Sequence, residues 1–193
     1  FEGPDKSGKT TQALLLKDYL EKKGYMVKLT HEPGGTPVAE KIRNIILDPD
    51  NKMSSLCELF LYEASRADHV ENFIKPALND GYIVISDRFT LATVVYQGYA
   101  RGIGEKVVRF LNRLASDDLD IDILFGFDLP LDEYYKRSSL TSKDRIESEK
   151  KVFIKKVFNG YRESYKKSKK IIVIDATKSV DEIHSIIVRE VEK

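Results

Sequence analysis

Tryptophan is absent from this chain of 193 residues, cysteine occurs once and methionine twice. A lone Cys57 cannot close an internal disulfide, which excludes a disulfide-stapled scaffold and sets the expectation of a reducing, cytoplasmic compartment. Nor is charge of one sign in excess: 32 Lys and Arg stand against 31 Asp and Glu, a formal net charge of +1. Such balance argues against a broad basic surface for nucleic acid, so no nucleic-acid partner is expected and any phosphate chemistry must rest on a few well-placed cations. No apolar run approaches about 18 residues and no signal-peptide pattern precedes Phe1, so no membrane partner is expected. Internal repeats and low-complexity linkers are missing too.

What is present is a 41% hydrophobic, 33% charged composition, enough for one compact domain spanning residues 1–193. Short apolar runs at 25–29, 83–86, 123–128 and 171–175 read as buried strands. Helical spacing occupies 10–23, 37–46, 55–79, 105–115, 131–135, 149–167 and 180–191. Strands alternating with helices predict an α/β fold, a parallel sheet flanked by helices on both faces in three layers. One segment shifts in composition: 136–151 is polar and charged, the profile of a solvated loop or of a mobile lid, the latter at about 136–147.

The opening residues carry the sharpest pattern. Gly3-Pro4-Asp5-Lys6-Ser7-Gly8-Lys9-Thr10 satisfies G-x-x-x-x-G-K-[ST], a P-loop, with Thr11 one residue into the following helix. Glycines let successive backbone N–H groups curl around phosphate oxygens, Lys9 supplies a point charge, and the Thr10 hydroxyl suits Mg²⁺. The helix that follows presents its N-terminal amides to the same anion. A P-loop follows a strand, of which only Phe1 and Glu2 stand here, so a first strand shortened at its N-terminal side is expected. By itself the loop leaves a nucleotide-dependent kinase and a non-catalytic switch module both open; an N-K-x-D guanine motif is not found.

Further motifs follow at intervals. His31-Glu32-Pro33-Gly34-Gly35 comes after the second strand, Tyr62 and Arg66 share a helix face at i, i+4, Asp87-Arg88-Phe89 follows the third strand, Tyr96-Gln97-Gly98 lies beyond it, and Asp144-Arg145-Ile146-Glu147 closes the polar segment. Taken with the P-loop, this ordered set resembles the thymidylate kinases from Phe1 to about Val191. The resemblance implies a P-loop NTPase fold with a short lid, ATP and dTMP as substrates, Mg²⁺ as cofactor and a homodimer. Another nucleoside or monophosphate kinase of the same fold is the alternative.

The resemblance also implies roles. Residues 3–11 would hold the ATP phosphates, Arg137 and the turn of Thr177, Lys178 and Ser179 the adenine, and Thr10 with Asp87 the metal. Asp5, Glu32, Pro33, Arg43 and Arg88 would line the acceptor phosphate and its surroundings. Tyr62 would stack on thymine, Arg66 donate to its exocyclic oxygen, Thr93 and Gln97 approach the base edge, and Tyr96 crowd the sugar 2′ position. Two departures stand out: Pro4 replaces a usual aliphatic residue, and His31 stands where bacterial members often have arginine. Members place a catalytic arginine in the P-loop or in the lid. Here Lys6 occupies the first place, with Arg137, Lys143 and Arg145 available in the second.

Overall fold

The computed structural model describes residues 1–138 and 145–193; the expected lid falls partly, and Lys143 wholly, outside them. Helix α1 (Lys9–Lys22) ends at Gly24, φ 89°, and strand β1 (Val27–His31) starts two residues later than the apolar run suggests, because Tyr25 and Met26 remain exposed in the turn. Then come α2 (Pro37–Leu47) and α3 (Ser55–His69). After α3 a wide π-type turn, Val70–Ile74, runs directly into α4 (Lys75–Asn79). The expected single helix over 55–79 is therefore interrupted. Pro76 lacks an N–H and its ring would clash with the carbonyl four residues back, so the preceding turn widens.

Strand β2 (Ile83–Asp87) leads into a short helix α5 (Thr90–Thr93) and a second π-type stretch, Val94–Ala100. Periodicity marked no helix there, since a β-branched run and Gly98 mask it. Helix α6 (Glu105–Ser116), β3 (Leu124–Asp128), α7 (Leu131–Ser138), α8 (Lys151–Lys167), β4 (Ile171–Asp175) and α9 (Val180–Val191) complete the described chain.

All pairings are parallel. β1 lies beside β2, with Val27 opposite Ile83 and His31 opposite Asp87, and β3 beside β4, with Leu124 opposite Ile171. Phe1 and Glu2 join the two pairs. The Phe1 amino group donates to Ser86 O at 2.9 Å and Phe1 O accepts from Arg88 N at 2.9 Å, while Glu2 exchanges bonds of 2.8 and 2.7 Å with Phe125 O and Phe127 N. The order is thus β1, β2, residues 1–2, β3, β4. Alternation along β3 divides the layers: a Cβ on Gly126 would meet Tyr165 of α8, whereas Phe125 lies with Phe1, Leu16 of α1 and Val191 of α9 on the other face. The core gathers Ala13, Leu16, Phe125, Phe127, Val157, Tyr161, Ile174 and Ile187 around this sheet. β1, residues 1–2 and β2 all point their C-terminal ends the same way, towards the edge where open α/β sheets bind ligands.

Candidate active site

Gly3 brings the opening loop hard against β3. Its φ is 150°, and a Cβ there would sit 2.8 Å from Phe127 O. Gly8 precedes α1 with φ 92°, so the chain can turn from loop into helix while the first amides of α1 face outward. Lys9 is buried at this junction, its Nζ donating to Pro4 O at 2.8 Å and to Ser7 Oγ at 3.5 Å. Burial first, and the Arg88 charge second, lower its ammonium to about 8. An incoming phosphate would relieve that penalty.

Arg88 adopts φ 72°, a left-handed conformation costly for a side-chain-bearing residue and held here by its contacts. Its guanidinium donates to Gly3 O at 2.8 Å, to the Tyr161 hydroxyl at 2.9 Å and to the Asp5 carboxylate. Asp5 also accepts from the Tyr96 hydroxyl at 3.0 Å. Burial would push the Asp5 carboxyl up, but Arg88 and Lys9 outweigh it and hold Asp5 below the usual carboxylate range. Asp87 accepts from the Thr10 hydroxyl, and it too is held low, with Lys9 and Arg88 overriding burial. Among the described residues no three His, Cys, Asp or Glu side chains converge as a metal cage. One carboxylate and one hydroxyl at the mouth of a phosphate loop fit Mg²⁺, which takes one or two protein oxygens and completes its shell with water and substrate phosphate.

Two cavities meet at these residues. A narrow one of about 90 Å³ is lined by Asp5, Glu32, Pro33, Arg43, Tyr62, Arg66, Arg88, Thr93, Tyr96 and Gln97, every residue that the sequence marks for the acceptor. Leu47, Phe89, Ala92 and Ile146 complete its wall. The second, an open cleft of about 790 Å³, holds Asp5, Lys6, Gly8, Lys9, Thr10, Thr11, Asp87 and Arg137. Asp5, Glu32, Arg43 and Arg88 belong to both.

The family model described as thymidylate kinase matches residues 1–187. The chain belongs to the thymidylate kinase family. It is 47% identical to a thymidylate kinase of Finegoldia magna over 187 residues, 96% of this chain and 92% of that one. Identity to a thymidylate kinase of a Sulfurihydrogenibium species is also 47%, over 97% of this chain and 93% of the relative. A thymidylate kinase of Caldanaerobacter subterraneus is 43% identical over the whole chain.

The three candidate catalytic cations among the described residues, Lys6, Arg137 and Arg145, are distributed unevenly. Lys6, with φ 61°, carries its Nζ 2.9 Å from the Glu147 carboxylate. Arg137 spans the nucleotide side, donating to Lys6 O and to Ala176 O, both at 3.1 Å, and to Glu133 at 3.1 Å. It thereby ties the P-loop to the exposed turn of Thr177, Lys178 and Ser179, itself closed by Thr177 N on Asp175 at 2.9 Å. Arg145 is not brought to the P-loop. Its Nη2 lies 2.7 Å from Glu58 and its Nε on Ile46 O.

Arg66 is only 2% exposed. Nε donates to Glu32 at 2.9 Å, Nη1 to Glu63 at 2.8 Å, Asn112 at 2.7 Å and Thr93 at 3.3 Å, and Nη2 to Phe89 O at 3.0 Å. Arg43 is anchored on Pro33 O at 2.8 Å. Several supporting residues escaped the sequence reading. Glu2 is buried and accepts from Phe89 N at 2.9 Å and Ala92 N at 3.1 Å, fixing the loop after β2; burial raises its carboxyl. His69 is fully buried between Thr30 Oγ1 at 2.7 Å and Glu32 at 3.1 Å. Glu58 lies beneath Gln97. Spacing could have found it: Glu58, Tyr62 and Arg66 recur every four residues along α3, one helix face.

Proposed function

We propose that the protein transfers the γ-phosphate of ATP to dTMP, giving dTDP and ADP. The observation that carries this reading is the junction of the two cavities at Asp5, Glu32, Arg43 and Arg88: Arg88 lines both the P-loop cleft and a smaller pocket walled in part by Tyr62 and Tyr96. Membership of the thymidylate kinase family supports the same substrates. The cleft takes ATP, with residues 3–11 around its phosphates, Lys9 on the transferring end, and Arg137 with Thr177–Ser179 beside the adenine. The narrow cavity takes dTMP: Tyr62 against the ring, Arg66, Thr93 and Gln97 at its edge, Tyr96 against the sugar.

Phosphoryl transfer asks for alignment and charge neutralisation more than for covalent chemistry. Arg88, aimed by Asp5, Gly3 O and Tyr161, grips the acceptor phosphate and brings it in line with the donor. Lys9 stabilises charge that grows on the departing oxygens, an interaction stronger in the transition state than in the ground state. Thr10 and Asp87 would hold Mg²⁺, which supplies Lewis-acid neutralisation of the phosphates when bound. Lys6 adds a further cation at the transferring group.

The protein acts as a homodimer in this reading. Along α3 the exposed positions are Leu56, Cys57, Phe60, Ala64 and Ala67, all apolar, and on neighbouring α6 Val107, Phe110 and Leu114 are exposed at helical spacing. A contiguous apolar face of this kind marks an interface. Among the described residues no helix is long and apolar enough to cross a membrane.

A coupled assay of ADP release with dTMP, thymidine and UMP as acceptors tests the activity. Turnover with dTMP at least about a hundredfold above UMP is expected, since a pocket built on specific hydrogen bonds and steric fit discriminates on that scale. Preference for thymidine over dTMP would move the protein to the nucleoside kinases, and no acceptor-dependent ADP release would make it a binding module.

A further inference from the structure

The amide of Gln97 is held by one end only. Its Nε2 donates to Glu58 Oε1 at 2.8 Å, while its Oε1, on a side chain 1% exposed, is buried with no hydrogen-bond partner. A buried carbonyl oxygen left alone costs free energy unless a ligand supplies the missing donor. Gln97 lines the narrow cavity, so a ligand seated there is the group within reach to do so.

The other end of the amide cannot exchange places with it. Glu58 is 1% exposed and pinned by two arginines: Arg101 through Nε at 3.0 Å and Nη2 at 2.9 Å, Arg145 through Nη2 at 2.7 Å. An ionised carboxylate only accepts hydrogen bonds, so it takes the NH₂ of Gln97 and repels its carbonyl. Burial would raise the Glu58 carboxyl, yet Arg101, Gln97 and Arg145 together hold it low, in the acceptor form.

We propose that Glu58 is a specificity-positioning residue, which fixes the Gln97 amide with its oxygen towards the acceptor cavity and so selects a pyrimidine that carries a hydrogen on ring N3. The proposal rests on the reading of that cavity as a pyrimidine monophosphate site and adds what orients its base-edge amide. Thymine and uracil offer N3–H; cytosine offers a bare N3 acceptor, which would face the Gln97 oxygen lone pair to lone pair. Because Arg145 grips the same carboxylate and Ile146 next to it lines the cavity, these two residues share one anchor with the base reader.

The probe is the 3-deaza analogue of dTMP, a 4-hydroxy-2-pyridone in which N3–H becomes C–H and the C4 oxygen a hydroxyl. The C4 change is the same for wild type and variants, so the N3 contribution is read from how the ratio shifts between them. Wild-type protein is expected to favour dTMP over the analogue by about tenfold or more in kcat/KM, the scale of one unpaired buried polar group. Glu58→Gln frees the amide to turn, so the ratio should fall by about threefold or more while KM for ATP stays within about twofold, because the P-loop cleft is untouched. Gln97→Leu should lose the same ratio, and the Glu58→Gln/Gln97→Leu pair should lose no more than either change alone, the signature of residues acting as one unit. Should Glu58→Gln fail to fold, Glu58→Asp keeps the charge beside both arginines but retracts it by one methylene, and the ratio should still drop. A wild-type ratio in a folded Glu58 variant, or in Gln97→Leu, overturns the proposal. Absence of dTMP turnover in the wild type would instead overturn the underlying assignment of the cavity.

Discussion

Arg66 enters the narrow cavity with its donors already engaged. A guanidinium has five N–H groups, and Glu32, Glu63, Asn112 and Phe89 O meet them at 2.7 to 3.0 Å, leaving Thr93 as the longest contact at 3.3 Å. A base oxygen can therefore be received most easily where Thr93 now stands. Truncating Arg66 would strand two buried carboxylates, a loss of about 3–5 kcal/mol that would confound any binding measurement. The informative residue is Lys6. Replacing it by Met should lower kcat by about ten- to a hundredfold, roughly 1.4–2.8 kcal/mol of transition-state stabilisation, with little change in ATP affinity. Arg137→Ala should do the opposite, raising KM for ATP, because it ties the P-loop to the turn after β4. Steady-state kinetics of the two variants separate these patterns; a mild Lys6→Met beside a crippled kcat in Arg145→Ala would move the catalytic charge to the lid.

At the scale of elements, the site depends on short segments being held at their ends. Helix α9 begins with a capping box: Ser179 Oγ accepts from Glu182 N at 3.3 Å, and the Glu182 carboxylate accepts from Ser179 N at 2.9 Å. Ser179→Ala should cost about 1 kcal/mol and lower the calorimetric Tm by about 2–4 °C. An unchanged Tm would mean that packing of α9 on α1 alone orders this end. Much of this level was legible in the sequence. The apolar runs at 83–86 and 171–175 lie within one residue of the observed strands Ile83–Asp87 and Ile171–Asp175, because β-branched residues in a parallel sheet leave little else they could be. Two helices were misjudged for physical reasons. Pro76 acts on a turn four residues before itself, which periodicity does not register, and Thr93-Val94-Val95 suppresses the helical signal of a segment that tertiary packing makes helical anyway. The lining of the narrow cavity was legible through motifs, its scaffold much less so. Glu2, Glu58 and His69 touch the site through another residue, and a sequence does not display which carboxylate ends beneath which amide.

For the molecule as a whole, α3 is the element that counts twice. Its inner face carries Glu58, Tyr62 and Arg66; its outer face carries Leu56 and Phe60, the latter 53% exposed, beside Phe110 of α6 at 66%. A partner seated on the outer face would brace the helix from which the base is read. If the proposed dimer forms through this face, Phe110→Asp should abolish it in sedimentation equilibrium and raise KM for dTMP by about three- to tenfold more than KM for ATP, a loss on the scale of 1 kcal/mol. Equal KM values in a monomeric variant would confine the outer face to assembly. If the two faces of α3 are coupled, the wild-type enzyme is subject to mass action on itself: turnover per chain falls on dilution below the dissociation constant of the pair and recovers on concentration, so that the abundance of the protein, and not only of its substrates, sets how well each copy works.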